Sequence, residues 1–286
     1  MVITMILKND FFNKNTILQQ LPSIINAEIQ DPAHTKMPRC MHKHDDRVEI
    51  LYIRKGKGIH QIDGHSYATK AGDILIFDSN VLHDESADKS NGLDIISCSI
   101  GKVQLTGFAP NTLLSAGFCP VISNSIYSDK ISSILSIIYQ THNDKSNFNQ
   151  ELLQHLACSL IILVYQASIQ NEITISPRIF EIGSYIQKYI DEHYLEDIDI
   201  PHIAKSLKLG ESYISHSFKK ATGYSIMQYV IRRRVGEAQS WLLMSNLSVT
   251  DIAIKVGYNS VSNFHNTFRK IVGMSPKQYR TYWKAK

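Results

Sequence analysis

The sequence has 286 residues, of which 43% are hydrophobic, 20% charged and 9% aromatic. This composition is typical of folded globular domains. It excludes a wholly disordered, collagen-like or coiled-coil chain, and the length favours two domains. The formal net charge of +4 hides an uneven distribution: residues 199–286 carry 14 Lys and Arg against 4 Asp and Glu, whereas residues 1–198 carry 16 against 22. A basic end on an acidic body predicts a nucleic-acid-binding module joined to a second domain.

The N-terminus and the cysteines indicate a cytoplasmic protein. Residues 1–15 include Lys8, Asp10 and Lys14 and lack the apolar segment of a signal peptide. The four cysteines are scattered without a CxxC pair, which predicts free thiols in a reducing compartment. The most apolar segment, residues 152–167, is interrupted by polar residues and is shorter than the ~20 residues of a spanning helix. We therefore expect it to be a buried or dimer-forming helix.

Residues 35–105 have the pattern of short strands and turns. Glu49–Arg54 is a β-rich run, and the glycines of the following segment, 55–58, predict a turn there. Asp63-Gly64 is a strong hairpin signal. Further strands are predicted at Ile74–Phe77 and Leu93–Ile100. Strands of this length and spacing predict a barrel or a sandwich.

Two helices are predicted after this region. Apolar residues recur at helical spacing from Tyr127 to Tyr139, and Asn149–Ser168 reads as a second helix, apolar on most sides. We expect this second helix to form homodimer contacts, with packing against its own barrel as the alternative. The expected dimer contacts are Leu152, Leu156, Leu160 and Leu163. A polar linker follows at residues 171–178, where Ser176 and Pro177 are a good cap and first residue for the next helix.

The last 90 residues contain an internal duplication. Each copy has an Ile-Ala helix, a short turn and a second helix that ends in Phe and two basic residues, followed by a glycine. The copies span residues 200–225 and 249–275, and a long helix, Ile226–Met244, is predicted between them. This arrangement predicts two helix-turn-helix units in tandem, whose second helices enter successive major grooves.

The second helix of each unit must bury one stripe and expose the other to DNA. Ile214 with Phe218, and Phe264 with Phe268, are four residues apart and are predicted to face the core. The residues predicted to contact bases are those left on the outer faces, namely Ser212, Ser215, His216, Ser260, Asn263, Asn266 and Thr267. The residues predicted to contact phosphates are the basic ones at the helix ends, Lys219, Lys220, Arg269 and Lys270.

The helix between the two units contains two unusual features. Residues 232–234 are three consecutive arginines, and a helix cannot point all three the same way. We expect Arg234 to turn inward and pair with Glu237 or Asp251. Gly236 is an unexpected residue inside a helix, where it costs ~1 kcal/mol relative to Ala.

Residues 180–284 resemble the DNA-binding domain of AraC/XylS-type transcription regulators. The resemblance is carried by Ile203-Ala204, Phe218-Lys219-Lys220, Thr222-Gly223, Ile252-Ala253, Gly257-Tyr258, Phe268-Arg269-Lys270 and Gly273-Met274-Ser275-Pro276. It implies binding through both recognition helices to promoters that the protein activates, with recruitment of RNA polymerase. His216 and Asn266 depart from the arginine that the family often carries, which bears on base preference.

The acidic part of the chain contains a second pattern. It reads His42-x-His44-x4-Glu49-x6-Gly56, followed by Gly72-x5-Asp78-x-Asn80-x2-His83. Three imidazoles and a carboxylate suit Fe(II), Mn(II), Ni(II) or Zn(II). The spacing resembles the two motifs of the cupin β-barrel, although Asp78 and Asn80 stand where cupins usually carry Pro and Gly. The candidate effector-pocket or metal residues are His42, His44, Glu49 and His83.

Three alternatives to a regulatory metal site stay open. The four residues could line a pocket for a polar effector, serve a metal-dependent cupin enzyme, or sense pH through the histidines. Further pocket candidates are His60, Tyr67, Phe77, His65 and Arg39. The acidic residues after His83 are expected in a solvated loop rather than a site; they are Asp84, Glu85 and Asp88.

We thus expect a two-domain α+β regulator and not an enzyme. Residues 1–120 form a cupin-like sensory barrel, 121–170 a helical dimerisation segment, 171–178 a linker, and 179–286 an all-α DNA-binding domain with two helix-turn-helix motifs. The expected partners are double-stranded promoter DNA, RNA polymerase, a small-molecule effector and a second copy of the chain, with no membrane. The expected location is the cytoplasm, in association with the nucleoid, and a divalent transition metal is the one cofactor considered.

Overall fold

The computed structural model describes residues 16–85, 91–115, 118–144, 149–171 and 181–284. Ser176 and Pro177 of the predicted linker, and Asp88, lie outside these residues. The N-terminal part is rich in sheet and begins with strand β1 and a short helix. Its elements are β1 (Ser23–Gln30), α1 (Pro32–Thr35), β2 (Arg39–His42), β3 (Arg47–Ile62), β4 (His65–Lys70), β5 (Ile74–Phe77), β6 (His83–Glu85), β7 (Leu93–Gly101) and β8 (Val121–Ile122).

The strands are antiparallel and centre on β3. The main path runs β1-β7-β3-β5-β8, and β3, 16 residues long, also pairs with β4 and with β6. Strand β2 joins the sheet only through β6. Along the described residues this path does not close on itself, so the predicted barrel is a curved, partly open sheet.

The predicted turn at residues 55–58 is wrong, whereas the predicted hairpin is confirmed. Strand β3 continues through this segment with a register shift between Ile53 and Lys55. Gly56 has φ +95, and a Cβ there would lie 2.6 Å from the carbonyl oxygen of Gly92. The glycine therefore serves a bulge rather than a chain reversal. The reversal comes at Asp63 and Gly64, whose φ values of 48 and 77 suit a tight hairpin.

Helices α2 (Ser128–Asn143) and α3 (Asn149–Gln170) pack against each other and against β1. Helix α3 is long and apolar enough to cross a membrane, but much of its apolar surface lies in the core with the sheet. Leu160 is fully buried, and Leu156 and Leu163 are partly buried against the same core. Leu160 therefore packs within its own chain and is not available for a dimer contact, whereas dimer contacts of the partly exposed Leu156 and Leu163 stay a prediction. Leu152, 47% exposed, keeps an open face.

The C-terminal part consists of seven described helices. They are α4 (Glu181–His193), α5 (Ile200–Leu207), α6 (Glu211–Thr222), α7 (Ile226–Met244), α8 (Val249–Lys255), α9 (Val261–Val272) and α10 (Pro276–Lys284). Local sequence explains their limits. Ser225 and Gln228 form a capping box at the start of α7, and Asp199 caps α5. Gly223 and Gly273 end α6 and α9 in the left-handed conformation.

The C-terminal helices form two small apolar cores that share α7. Phe218 and Tyr229 lie in the first core, and Phe264 and Leu242 in the second. Strand β2 of the N-terminal part contributes to both, because Met41 belongs to the first core and Cys40 to the second. The two parts of the chain therefore pack directly on each other through β2 and α7.

This contact explains the glycine inside α7. A Cβ at position 236 would overlap the carbonyl oxygen of Met41 and lie 2.8 Å from that of Cys40. The helix backbone lies directly against β2 at this point, so a side chain has no room. Gly236 is thus a residue of close approach between α7 and β2, and not a helix end.

Candidate DNA interface and histidine cluster

The first helix-turn-helix unit consists of α5 and α6. Lys208 ends α5 in the left-handed conformation, and α6 begins three residues later. Ile214 and Phe218 are fully buried, as their four-residue spacing predicted. On the opposite face, Ser212 and His216 are exposed and Ser215 is half-buried. The basic pair at the end of α6, Lys219 and Lys220, is exposed as well.

The second unit, α8 and α9, repeats this arrangement. Phe264 and Phe268 are fully buried and pack 5.7 Å apart, measured between ring centroids. Asn263 and Asn266 are exposed on the outer face of α9, and the basic pair Arg269 and Lys270 is exposed at its end.

Two of the predicted base-contacting residues on α9 also have a local structural role. The Ser260 hydroxyl accepts a hydrogen bond from the backbone N–H of Asn263 and caps the helix. The Thr267 hydroxyl donates to Oδ1 of Asn263 at 3.3 Å. These bonds orient Asn263 at the start of the outer face, while Asn266 is exposed one turn further on.

The three consecutive arginines of α7 point in different directions. Arg233, the most buried, bonds Asp191 of α4 at 3.1 Å and the carbonyl oxygen of Met41 at 3.1 Å. Arg234 turns inward as expected, but its partners are the carbonyl oxygens of Tyr194 and Glu196 rather than an acidic side chain. The expected pairing with Glu237 or Asp251 is therefore wrong, because two backbone carbonyl oxygens of the segment that follows α4 lie within reach of the guanidinium.

The sheet brings together the four residues of the second pattern. His42 lies on β2, Glu49 on β3 and His83 on β6, while His44 follows β2. One potential ligand atom from each lies within 4.8 Å of all the others. His42 stands directly opposite His83 across the β2–β6 ladder. The arrangement matches the donor set predicted for a divalent transition metal.

Hydrogen bonds orient two of the imidazoles toward the centre of this histidine cluster. His42 donates from Nδ1 to the carbonyl oxygen of Cys40 at 3.0 Å, and His83 donates from Nδ1 to that of Val81 at 2.9 Å. In this tautomer His42 Nε2 carries a lone pair, which accepts a hydrogen bond from Arg39 Nε. His83 Nε2 is buried without a hydrogen-bond partner and lies 3.5 Å from a carboxylate oxygen of Glu49. A positive charge stabilises the carboxylate at this contact, whether it is a proton on Nε2 or a metal ion between the two atoms.

Burial shapes the charge of the histidine cluster. It lowers the pKa of His44 to about 4 and the pKa of His42 well below its ordinary value. Burial raises the pKa of Glu49, but the neighbouring imidazoles and the Ser99 hydroxyl, 2.7 Å away, outweigh it and hold that pKa below its ordinary value. At neutral pH the histidine cluster therefore combines an ionised carboxylate with neutral His42 and His44, the protonation states that a metal ion requires.

Two connected cavities lie beside the histidine cluster. One, of about 160 Å³, is lined by His42, His44 and Glu49, and the other, of about 240 Å³, by His60, Tyr279 and Trp283. Their walls share Glu28, Gln30, Arg39, Glu85 and Leu243. The DNA-binding part of the chain thus contributes to the walls of the N-terminal cavity, which the sequence did not predict.

The outcome for the remaining pocket candidates is mixed. His60, Phe77 and Arg39 line the cavities, whereas His65 and Tyr67 are half-buried on β4. Arg39 donates from Nε to His42 Nε2 at 3.1 Å.

The expected solvated loop after His83 is wrong. Asp84 is fully buried, and Glu85 faces the cavities. Strand alternation would have found Glu85, which lies two residues after His83 and therefore on the same face.

Comparison with known proteins agrees with this organisation. Residues 203–282 match the family described as "Helix-turn-helix domain", and residues 27–179, more than half of the chain, match "AraC-like ligand binding domain". The uncharacterized HTH-type transcriptional regulator YdiP of Escherichia coli (strain K12) is 30% identical over 256 residues, covering 85% of this chain and 81% of that protein.

Two further similarities extend over most of the chain. The HTH-type transcriptional activator RhaS of Escherichia coli (strain SE11) is 23% identical over 245 residues, covering 83% of this chain and 86% of that protein. The crystal structure of ToxT from Vibrio cholerae O395 is 12% identical, covers 93% of this chain and 97% of that chain, and has a TM-score of 0.46. YdiP and RhaS are described as regulators of transcription, in agreement with the regulator expected from the sequence. The chain belongs to the AraC family of transcription regulators, with an N-terminal ligand-binding domain and a C-terminal helix-turn-helix DNA-binding domain.

Proposed function

We propose that this regulator activates transcription by placing α6 and α9 in two successive major grooves of promoter DNA. The observation that carries the proposal is the pair of helices with fully buried aromatic backs, exposed polar outer faces and basic C-terminal ends, joined by the single helix α7. Successive major grooves on one side of the duplex are ~34 Å apart, within reach of two units on one rigid connection. The base-contacting residues are Ser212, Ser215, His216, Ser260, Asn263, Asn266 and Thr267.

A salt titration tests this proposal. Preferred duplexes are first selected from a random DNA pool with the full-length protein, and the affinity is then measured by fluorescence anisotropy. If Lys219, Lys220, Arg269 and Lys270 each neutralise one phosphate, log K falls against log salt with a slope of about −4. A flat response, or the absence of any enriched sequence in the pool, overturns the proposal.

Activation is the finer part of the proposal. It is supported by the similarity to RhaS, which is described as a transcriptional activator. The regulator then acts on the nucleoid in the cytoplasm and contacts RNA polymerase at the promoter. Transcript levels at its bound promoters are expected to fall when the gene is deleted. A rise in those transcript levels would show that the protein represses these promoters rather than activating them.

We also propose that two copies associate through the exposed face of α3. Leu152, Ile162 and Ile169 are 47%, 36% and 48% exposed, and their spacing places them on one side of the helix. A homodimer presents four helix-turn-helix units to paired half-sites. Light scattering of the purified protein is expected to give a dimer that Leu152→Asp converts to a monomer. Ile59→Asp, at a 58% exposed position on β3, is the matched control that leaves the dimer intact. A wild-type monomer at micromolar concentration refutes the association.

The N-terminal domain is proposed to sense its signal at the histidine cluster by binding a divalent transition metal ion. The observation in favour is that one potential ligand atom from each of the four residues lies within 4.8 Å of all the others, with the buried His83 Nε2 3.5 Å from a carboxylate oxygen of Glu49. When bound, the ion supplies the positive charge that compensates the carboxylate. His42, His44 and His83 hold it through nitrogen and Glu49 through oxygen, while the Nδ1 bonds to backbone carbonyls keep the rings in place.

Metal analysis of the purified protein tests the site. Ni(II) or Zn(II) is expected to bind at one equivalent per chain, and His42→Ala is expected to lose it. The matched control is His65→Ala, on β4. If the wild-type protein takes up no metal and His42→Ala regulates normally, the metal site is refuted. The cavities beside the cluster, about 160 and 240 Å³ in volume, then point to a polar small molecule as the effector.

A further inference from the structure

We infer that metal binding at the histidine cluster and docking of α7 on β2 are coupled, so that metal uptake tightens the contact between the two domains. The inference rests on the proposed metal site and adds its route to the DNA-binding domain. Three hydrogen bonds hold the backbone of β2 and of the residue before it to α7. The Cys40 N–H donates to Gln239 Oε1 at 2.9 Å, Gln239 Nε2 donates to the Pro38 carbonyl at 3.0 Å, and Arg233 donates to the Met41 carbonyl at 3.1 Å.

Packing reinforces these bonds. Cys40 and Met41 are 0% and 2% exposed because they belong to the two apolar cores on either side of α7. Between them, the absence of a side chain at Gly236 lets the two backbones meet. Strand β2 therefore cannot shift without disturbing the helix that connects the two DNA-binding units.

The short β2–β6 ladder carries two of the four residues of the histidine cluster, His42 and His83. His42 ends β2 and stands opposite His83 on β6, a strand of only three residues, and the ladder has a register irregularity. Next to His83, the buried carboxylate of Asp84 lies 3.8 Å from the guanidinium of Arg232 on α7. Helix α7 thus contacts both strands that supply the histidines.

A metal ion held by His42, His83 and Glu49 would link β2 directly to β3 and would add to the pairing of β6 with both strands. Arg39, which now donates to His42 Nε2, gives up that atom to the ion and lies beside Glu85, its partner across the ladder. Since α7 docks on the same ladder, each event holds the strands in the positions that the other requires. Metal binding and docking therefore favour each other by the same factor in both directions.

Two variants on α7 test the coupling without touching a metal ligand or a DNA-contacting residue. Gly236→Ala places a Cβ against the Met41 carbonyl but is favourable within a helix, so α7 itself should remain folded. Gln239→Ala removes two of the three hydrogen bonds. Glu237→Ala is the matched control, since its carboxylate accepts from Trp241 within the same helix. In all four full-length proteins, Ni(II) affinity is measured by competition with a chromophoric chelator.

Docking is measured in the same proteins without metal, as the rate at which N-ethylmaleimide alkylates Cys40. Cys98, buried in the sheet core, serves as the internal reference for global unfolding. We expect Gly236→Ala and Gln239→Ala to speed Cys40 alkylation and to weaken Ni(II) binding at least fivefold, with the Glu237→Ala protein unchanged in both. Unchanged Ni(II) affinity in variants with an accessible Cys40, or no change in Cys40 reactivity, overturns the coupling while leaving the metal site standing. If the wild-type protein does not bind Ni(II), both the metal site and the coupling are refuted.

Discussion

Asp191 on α4 is expected to be the most sensitive charged residue in the DNA-binding domain. Its carboxylate bonds Arg233 at 3.1 Å and accepts from the Tyr229 hydroxyl at 3.2 Å. The Arg233 side chain is only 4% exposed, whereas that of Asp191 is 25% exposed. Asp191→Ala therefore leaves a buried cation and a buried hydroxyl without their shared partner.

The expected loss in the free energy of unfolding follows from the unequal burial of the Arg233 and Asp191 side chains. Breaking one side of a fully buried ion pair costs about 3–5 kcal/mol. Because Asp191 is a quarter exposed, water replaces part of the lost interaction, and we expect about 2–3 kcal/mol. Arg233→Met should cost less, since the remaining carboxylate can be solvated and Tyr229 still donates to it. With a urea dependence of about 2 kcal/mol per molar, Asp191→Ala should lower the unfolding midpoint by about 1 M.

Tryptophan fluorescence measures this domain selectively, because Trp241 and Trp283 are the two tryptophans of the chain and both lie in its C-terminal part. Urea unfolding of the full-length variants is compared with Glu211→Ala, which alters an exposed acidic residue on α6. A loss below 0.5 kcal/mol for Asp191→Ala would refute the reasoning, as would an Arg233→Met loss larger than the Asp191→Ala loss.

Three further outcomes are expected. Phe268→Ala empties a fully buried position and should lower the free energy of unfolding by about 3–5 kcal/mol in the same fluorescence assay; a loss below 1 kcal/mol contradicts the packing. Asp199→Ala removes the cap of α5 and should lower the free energy of unfolding by about 1 kcal/mol in the same assay; no measurable loss contradicts the role of the cap. Asn263→Ala should weaken binding to the selected duplex and relax its sequence preference, whereas Arg269→Ala should weaken all duplexes alike and reduce the salt slope by about 0.9; equal behaviour of the two variants contradicts the assignment.

Local sequence was sufficient where neighbouring residues decide the outcome. The limits of α7 follow from a capping box at Ser225 and from its helical pattern, and they agree with the predicted Ile226–Met244. The inward faces of α6 and α9 follow from the four-residue spacing of their aromatic and aliphatic residues. The Asp63-Gly64 hairpin follows from the ability of these two residues to adopt positive φ.

Predictions failed where a distant segment decides. Gly56 and Gly58 predict a turn, but Gly56 pairs with β7 and Gly58 with β4, so β3 stays extended through this segment. Leu160 is predicted to contact a second copy of the chain, yet it is buried in the core that α3 shares with the sheet. Arg234 is predicted to pair with Glu237 or Asp251, yet it bonds the carbonyl oxygens of Tyr194 and Glu196 in the segment that follows α4.

The sequence by itself therefore determined the class of protein, the two helix-turn-helix units and the four residues of the histidine cluster, because periodicity, caps and motif spacing are local properties. Only the tertiary structure decided that β2 enters both C-terminal cores and that residues of the DNA-binding domain line the N-terminal cavities. Those contacts join residues about 200 positions apart, such as Cys40 and Gln239. The sequence gives no reason for Gly236 inside a helix, whereas the structure explains it by the close contact of α7 with β2.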